Sequence, residues 1–263
     1  MEAGNTKFWL KVKGNGEPIL LLHGFTGTHQ TWSEIEELLE NYQLIMVDLP
    51  GHGKTVSLSS FNMESVCKDL KILLTELEIE KTHLLGYSMG GRTALSFAMI
   101  YPEVVKSLLL ESASPGLASE KAREERKIQD SNLANILAKE GVQYFVDFWE
   151  NIPLFSSQKN LPKERQNEIR IERLSQTEEG LMASLHGMGT GSQPSWWGDL
   201  HKLKIPTLIV VGSLDLKFCE IGKKMHLTLP NGHYHEISGV GHAIHVEKPR
   251  IFGTIVNVFM KNL

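Results

Sequence analysis

The sequence predicts an α/β fold in which a mostly parallel sheet carries helices on both faces. Short, continuous apolar runs, which are typical of strands covered on both sides, recur along the chain. Segments whose apolar residues follow the helical period separate these runs. Strands that alternate with helices in this way form parallel, doubly wound sheets. The predicted buried strands cover residues 19–22, 44–47, 82–85, 107–110 and 207–211.

The remaining elements fit the same sheet. Residues 7–13 alternate apolar residues with lysines and Trp9, which favours a half-buried strand near the sheet edge, and residues 235–238 are predicted as the last strand. A first helix is expected behind a capping box formed by Thr31 and Glu34. Its apolar stripe consists of Trp32, Ile35, Leu38, Leu39 and Tyr42. A second helix carries the stripe Met63, Val66, Leu70, Leu73, Leu74 and Leu77.

The alternation of strands and helices stops between residues 117 and 203. This stretch contains charged, helix-favouring segments at residues 120–127 and 162–174. An insertion of this size, late in an α/β fold, is most simply a helical lid over the carboxyl edge of the sheet. We therefore expect a core of residues 1–116 and 204–263, with residues 117–203 inserted as the lid.

Length and composition indicate one globular core with an insertion rather than two independent domains. The chain has 263 residues, of which 41% are hydrophobic and 22% are charged. Its 27 basic and 31 acidic side chains give a net charge of -4, and no basic stripe stands out. A nucleic-acid partner is therefore not expected. No feature indicates a protein partner.

The first residues and the cysteines bear on location. Residues 1–6 lack the charged-then-apolar pattern of a secretory signal, and the apolar run at residues 18–22 is far too short to span a membrane. Cys67 and Cys219 match no metal spacing and are expected to be free thiols in a reducing compartment. We expect a soluble, cytoplasmic protein with no membrane partner.

The segment Gly86-Tyr87-Ser88-Met89-Gly90 fits the G-x-S-x-G pattern of a nucleophile elbow. The pattern alone is weak, but here it follows a predicted buried strand and precedes a helix rich in small residues. A sharp strand-to-helix turn holds such a serine in a strained backbone with its hydroxyl projecting outward. The glycines let the strand and helix approach each other. Ser88 is therefore the candidate nucleophile or base.

A second motif, His23-Gly24-Phe25, directly follows the predicted strand at residues 19–22. A loop at this point can aim the backbone N–H of Phe25, together with that of Met89, at a developing oxyanion. His23 is interpreted as a residue that braces the turn, because the backbone donors need no imidazole beside them.

Asp215 and His242 complete the constellation. Asp215 follows the predicted strand at residues 207–211, and His242 follows the last strand. The chain order Ser88, Asp215, His242 is the order found in the α/β-hydrolase fold. In a catalytic triad the aspartate fixes the imidazole tautomer and the imidazole accepts the serine proton. Alone, Asp215 would be read as a turn residue; the order and context of all three residues favour a triad.

Metal and nucleotide sites are not expected. The chain has eleven histidines but no H-E-x-x-H pattern, and His242 and His245 lie in a loop without a partnering motif. The glycines at residues 187–191 resemble a phosphate loop, yet no strand precedes them within a βαβ unit. We therefore expect no metal and no cofactor.

Two cations lie near the triad in the sequence. Arg92 comes four residues after Ser88, one turn into a helix that should be largely buried. A charge there is costly unless it is paired or meets an anionic ligand, so Arg92 either forms a buried ion pair or binds an anion. Lys217, two residues after Asp215, is either a second anion-binding group or a solvated surface lysine.

These motifs closely resemble, over nearly the whole chain, the 2-succinyl-6-hydroxy-2,4-cyclohexadiene-1-carboxylate (SHCHC) synthase family of menaquinone biosynthesis. The segments at residues 22–27 and 48–53 are general to the fold, whereas the elbow with Tyr87 and Arg92 is specific to the family. Further similar segments are residues 111–117, 148–149, 153–155, 173–175, 187–191, 193–195 and 214–218.

The resemblance implies a cofactor-independent lyase that eliminates pyruvate from 2-succinyl-5-enolpyruvyl-6-hydroxy-3-cyclohexene-1-carboxylate. The triad would then act as a base, and the substrate, a small-molecule tricarboxylate, would explain Arg92. By position, the residues implied to line the substrate site are Tyr87, Arg92, Trp149, Arg173 and Lys217. The family also uses an arginine in the first lid helix. This chain has Asp130-Ser131 there, so Arg123 or Arg126 would substitute, or the contact is missing.

Two other functions remain open from the sequence. One is a serine hydrolase that acts on an ester or a carbon–carbon bond, with Ser88 as a true nucleophile. The other is a ligand-binding receptor that reuses the fold without turnover. The complete triad and both oxyanion segments argue against the receptor.

Overall fold

The computed structural model describes residues 1–263 and confirms the α/β class. The strands are β1 (Glu2–Ala3), β2 (Thr6–Lys7), β3 (Leu10–Lys13), β4 (Glu17–Leu22), β5 (Tyr42–Val47), β6 (Val56–Ser57), β7 (Thr82–Tyr87), β8 (Val105–Glu111), β9 (Thr207–Gly212) and β10 (Gly232–Ile237). The α-helices are α1 (Met63–Glu76), α2 (Met89–Ile100), α3 (Glu120–Trp149), α4 (Lys163–Leu174), α5 (Glu178–Met188), α6 (Leu216–Thr228), α7 (Ile244–Glu247) and α8 (Pro249–Lys261).

Seven strands form the central sheet in the order β10-β9-β8-β7-β4-β5-β3. All neighbours are parallel except β3, which runs antiparallel to β5 at one edge. The predicted buried strands and the last strand are confirmed. The predicted edge strand at residues 7–13 is wrong in its extent, because Thr6–Lys7 pairs instead with β1 and β6 in a separate small sheet. Only Leu10–Lys13 joins the central sheet.

The continuous apolar runs arise because both faces of the sheet are covered. In β4, Leu20 and Leu22 belong to the core on one face, where α1 and α2 pack. Ile19 and Leu21 belong to the core on the opposite face, together with residues of α8. All four side chains are fully buried, so a polar residue at any of these positions would be costly.

The first predicted helix is absent, although its apolar stripe is buried as expected. A short 3-10 helix spans His29–Trp32, and turns follow it. Its N-cap is Thr28, whose hydroxyl accepts from the Gln30 N–H at 3.1 Å. The predicted cap at Thr31 is wrong, because Thr31 lies inside the 3-10 helix, where its hydroxyl donates to Glu172 at 2.8 Å. The second predicted helix is confirmed as α1.

The chain between β8 and β9 forms α3, α4 and α5 rather than further strands. Gly141 has φ 81° and interrupts the long helix α3 with a kink. This segment has a small core of its own, formed by Ala134, Leu137, Phe145, Leu181 and Leu185. We propose that residues 117–203 act as the lid that the sequence predicts. No helix of the protein is long and apolar enough to cross a membrane.

Candidate active site

Ser88 lies at the turn between β7 and α2 with φ 50° and ψ -107°, a backbone conformation that is strained for a residue with a side chain. Its N–H donates to the Glu111 carbonyl at 2.9 Å, which ties the turn to the neighbouring strand β8. The flanking glycine is required sterically. A Cβ at Gly90 would lie 2.0 Å from the Leu22 carbonyl oxygen. The sharp turn that the sequence predicts therefore depends on this close approach.

Asp215 and His242 lie beside Ser88 at the carboxyl edge of the sheet. The His242 Nδ1 is 2.6 Å from the Asp215 Oδ2, and the His242 Nε2 is 2.9 Å from the Ser88 Oγ. His242 is 1% exposed and Asp215 is 8% exposed, so solvent does not screen the pair. A carboxylate beside Nδ1 assigns the proton to that nitrogen and leaves Nε2 to accept from the serine hydroxyl.

Phe25 and Met89 line the same cavity as Ser88. The Phe25 N–H donates no hydrogen bond within the protein, so it is free to bind an oxyanion. His23 sits under this loop. Its Nδ1 donates to the Gly24 carbonyl at 2.7 Å, and its Nε2 accepts from the Leu49 N–H at 2.9 Å. Burial lowers the pKa of His23, so the ring is neutral and braces the turn.

The cavity around Ser88 has a volume of about 190 Å³ and lies between the sheet edge and the inserted helices. It brings together most of the residues that the sequence predicts for substrate binding. Those that line it are Tyr87, Arg92, Arg126, Trp149 and Lys217.

Arg92 lies four residues after Ser88 along the chain, and it has no carboxylate partner. Its guanidinium donates to the Met188 carbonyl at 2.8 Å and to the Gln193 Oε1 at 2.5 Å. The alternative of a buried ion pair for Arg92 is therefore not realised. Burial and the nearby Arg126 lower the pKa of Arg92 to about 9, with burial the larger cause, and Asp130 opposes both effects. An anion in the cavity would relieve this unfavourable desolvation.

The two arginines of the first lid helix that could contact substrate, Arg123 and Arg126, lie in different places. Arg126 lines the cavity, and its Nε donates to the Asp130 Oδ1 at 2.8 Å. Arg123 lies outside the cavity, with its Nε 3.4 Å from the Gly191 carbonyl oxygen. Arg126 is therefore the candidate that we carry forward, although Asp130 already neutralises part of its charge.

Arg173 does not line the Ser88 cavity. It is 7% exposed and lies in an adjoining cavity of about 370 Å³. The Phe155 ring lines both cavities, and the Arg173 guanidinium carbon lies 4.7 Å from the centroid of that ring. Its only hydrogen bond is to the Gln158 Oε1 at 3.1 Å. Burial lowers the pKa of Arg173, so it too is a poorly compensated cation.

The other two predicted side chains differ in exposure. Trp149 lies inside the cavity, and its Nε1 is buried without a hydrogen-bond partner. Lys217 is exposed at the rim, with its Nζ 5.7 Å from the Phe218 ring centroid. Lys217 is thus both a surface lysine and a cavity residue. No group of His, Cys, Asp and Glu side chains is arranged to hold a metal ion.

Sequence reasoning missed two features of the site. Phe155 was part of a lid segment with no assigned role, although it lines both cavities. A second acid–histidine pair, Glu111 and His245, lies close to the first, with the His245 Nδ1 2.8 Å from both carboxylate oxygens. The available signals were an acid at the end of a buried strand and a histidine three residues after His242.

The parallel sheet, the strained elbow and the Asp215–His242–Ser88 geometry define a protein of the α/β hydrolase class, and that family matches the chain over residues 17–249. Within this class, the chain belongs to the SHCHC synthase family. It is 43% identical over 250 residues to a Bacillus subtilis protein named as such a synthase, covering 94% of this chain and 91% of that protein. An SHCHC synthase of Photorhabdus laumondii is 30% identical, covering 94% of this chain and 86% of that one.

Two solved structures are similar over their full length. MenH from S. aureus is 38% identical with a TM-score of 0.92, covering 98% of each chain. A thermophilic esterase from Thermogutta terrifontis is 27% identical with a TM-score of 0.88, covering 100% of this chain and 98% of that one. The same fold thus supports proteins with different names and chemistries, so the reaction has to be argued from the site.

Proposed function

We propose that this protein is an SHCHC synthase, a carbon–oxygen lyase of menaquinone biosynthesis. Its substrate would be 2-succinyl-5-enolpyruvyl-6-hydroxy-3-cyclohexene-1-carboxylate, and its products SHCHC and pyruvate. The names of its relatives supply the product, the family resemblance implies the substrate, and the site supplies a base, an oxyanion site and unpaired cations. The reaction needs no metal and no organic cofactor. The two buried, free cysteines support a cytoplasmic location.

The reaction is a 1,4-elimination across the ring. The C2–H bond, which the neighbouring succinyl carbonyl makes acidic, breaks first or together with the C5–O bond. The ring double bond moves from C3=C4 to C2=C3 and C4=C5, and enolpyruvate leaves and takes up a proton to become pyruvate. A base and a site for the developing enolate oxygen are the two groups that the protein must supply.

We assign the base to the catalytic triad of Ser88, His242 and Asp215. Ser88 Oγ takes the C2 proton while its own proton passes to the His242 Nε2, 2.9 Å away. Asp215 stabilises the imidazolium that results, at 2.6 Å from Nδ1. The N–H groups of Phe25 and Met89 stabilise the enolate oxygen, and one such donor contributes about 3 kcal/mol to the transition state.

The observation that carries this proposal is Arg92. A plain esterase has no need for a buried guanidinium that has only neutral hydrogen-bond partners. A substrate with three carboxylates supplies the missing counter-charge. Arg126 and Lys217 would bind the other carboxylates, and Arg173 would reach them once the Phe155 ring moves aside. Tyr87 and Trp149 would pack on the ring, with the free Trp149 Nε1 as a donor.

The proposal is tested by measuring pyruvate release from the authentic substrate with a coupled dehydrogenase. We expect wild-type turnover and no detectable turnover for Ser88→Ala, since the base is then lost. If the wild-type protein leaves the enolpyruvyl substrate unchanged while it cleaves simple esters rapidly, the lyase proposal is wrong.

A serine hydrolase is the second candidate, because the similarity to the esterase is extensive and the same triad geometry can activate a nucleophile. Ester hydrolysis passes through an acyl-enzyme, whereas the elimination does not. Intact-mass spectrometry of the protein during turnover of the authentic substrate distinguishes them. An unmodified Ser88 with pyruvate formation supports the lyase, and a trapped acyl adduct supports the hydrolase.

A further inference from the structure

The loop that carries the Phe25 N–H is strained and needs support. Thr26, the next residue, has φ 68°, the left-handed region that costs energy for a residue with a side chain. Such a conformation persists only where the surroundings hold it in place. His23 supports the loop from the side of the sheet through its hydrogen bonds to Gly24 and Leu49.

A second support comes from α4, in the inserted segment. The Oε1 of Glu172 accepts three hydrogen bonds from the end of this loop. The Thr28 N–H donates at 2.7 Å, the Thr28 hydroxyl at 2.8 Å and the Thr31 hydroxyl at 2.8 Å. Thr28 is 4% exposed and Thr31 is 9% exposed, so the bonds lie largely out of water. Bonds to an ionised acceptor are roughly twice as strong as neutral ones.

Glu172 has no other partner that would explain its position. It forms hydrogen bonds to the loop and no salt bridge to a lysine or arginine. It lines the outer cavity of about 370 Å³ and not the cavity around Ser88, so it does not touch a substrate that is bound there. Gln176, just beyond the C-terminal end of α4, accepts from the Gly53 N–H at 3.0 Å and adds a second tie to the core.

We propose that Glu172 is a positioning residue that fixes the orientation of the Phe25 N–H. The oxyanion site is then complete only while α4 lies on the loop, which couples the lid to the chemistry. The proposal rests on the proposed function, in which the Phe25 N–H stabilises the enolate oxygen. Glu172 acts on the reaction through the position of the loop and does not contact the substrate directly.

The test compares Glu172→Ala and Glu172→Gln with the control Glu168→Ala. Glu168 lies one turn earlier on α4 and bonds only Arg165. Three quantities are measured for each variant: kcat and KM for pyruvate release, the rate at which a fluorophosphonate labels Ser88, and the melting temperature. Phosphonylation of Ser88 also develops charge on an oxygen, so its rate reports the oxyanion site without the natural substrate.

We expect Glu172→Ala to lower both kcat and the labelling rate by on the order of 10²-fold, the loss that a small misplacement of a reacting group causes. KM should stay within about threefold, since the cations that bind carboxylates are untouched. Glu172→Gln keeps one acceptor oxygen and should recover most of the loss. Glu168→Ala should match the wild type in all three quantities.

Unchanged kcat and labelling rates in a folded Glu172→Ala variant would overturn the proposal. A rise in KM alone would also overturn it, because Glu172 would then act on substrate binding. A fall in kcat without slower labelling would overturn it too, because the oxyanion site would then be intact. If Glu172→Ala does not fold, Thr31→Val removes a single donor and should still slow the labelling severalfold. If the wild type releases no pyruvate, the proposed function fails, and the labelling rates still test Glu172.

Discussion

Two acid–histidine pairs lie side by side at the same edge of the sheet, and only one reaches the Ser88 hydroxyl. Asp215 and His242 are joined at 2.6 Å, and Glu111 and His245 at 2.8 Å. The Tyr87 ring lies between them, with its centroid 5.4 Å from the His242 ring and 4.6 Å from the His245 ring. Both histidines are 1% exposed. The two pairs are therefore nearly equal in burial, and in both of them the histidine Nδ1 bonds a carboxylate.

The difference lies at the other ring nitrogen. The His242 Nε2 meets the Ser88 hydroxyl, which lines the reaction cavity. The His245 Nε2 is buried without a partner, and the centroids of the His245 and Trp32 rings lie 4.9 Å apart. Glu111 also accepts from the His245 backbone N–H at 3.0 Å, which anchors the loop that carries both histidines. We infer that the second pair stabilises the loop, because the second ring nitrogen of its histidine meets no hydroxyl from which it could take a proton.

The largest expected effect comes from breaking the first pair. Asp215→Asn should lower kcat by about 10⁴-fold, because the amide no longer favours the required tautomer or stabilises the imidazolium. Steady-state pyruvate release measures the change, and circular dichroism checks that the variant is folded. A loss smaller than tenfold would contradict the assignment of Asp215.

A smaller effect follows from removing the cation beside the first pair. Arg92→Met replaces the guanidinium with a shorter, unbranched apolar side chain and should lower kcat/KM by about 10- to 100-fold, the loss of one or two charge-assisted hydrogen bonds. The melting temperature without substrate should not fall, because an unpaired buried charge is unfavourable in the free protein. The exposed Arg250→Met is the control and should keep wild-type kinetics. Unchanged kcat/KM would make Arg92 purely structural.

Breaking the second pair should affect stability instead of the reaction. Glu111→Gln leaves one of the donors around a fully buried side chain poorly satisfied, which should lower the free energy of unfolding by about 1–3 kcal/mol. The kcat of the folded variant should stay within about tenfold, since Ser88 is held by the backbone carbonyl of Glu111. Urea unfolding and pyruvate release test both parts. A loss of kcat as large as that of Asp215→Asn would show that the pairs are equivalent.

The smallest effect concerns a histidine that has no acid partner. Burial lowers the pKa of His52 to about 3, and its Nε2 has no hydrogen-bond partner. Between pH 6.5 and 3 the unfolded chain therefore binds a proton that the folded protein does not. His52 lowers the free energy of unfolding by about 1.4 kcal/mol for each pH unit below 6.5.

His52→Phe should reduce this slope by the same amount when urea unfolding is measured at pH 7, 6 and 5. The exposed His235→Asn is the control and should keep the wild-type slope. If His52→Phe leaves the slope unchanged, His52 is protonated in the folded state and its burial does not control its charge.

Several parts of the fold and the site could be predicted because their signals are local. Apolar runs identified the buried strands, and the G-x-S-x-G pattern identified the turn at Ser88. The first helix was predicted wrongly, because Thr28 and not Thr31 caps a short 3-10 helix there. Glu172, which lies 141 residues further along the chain than Thr31, accepts from the hydroxyls of both threonines, and no local pattern shows this contact. Arg173 was predicted in the substrate site but lies beside the Phe155 ring, in the adjoining cavity. Segments that are distant in the sequence form that cavity, so no sequence pattern reveals it.

The sequence by itself determined the fold class, the order Ser88, Asp215, His242 and the family. These depend on patterns of neighbouring residues and on the order of strands, which the chain carries in one dimension. Only the tertiary structure decided which of Arg123 and Arg126 faces the cavity, that Arg92 lacks a counter-ion, and that Glu172 holds the loop of Phe25. Each of these depends on which distant segments are brought together and on how much water they exclude.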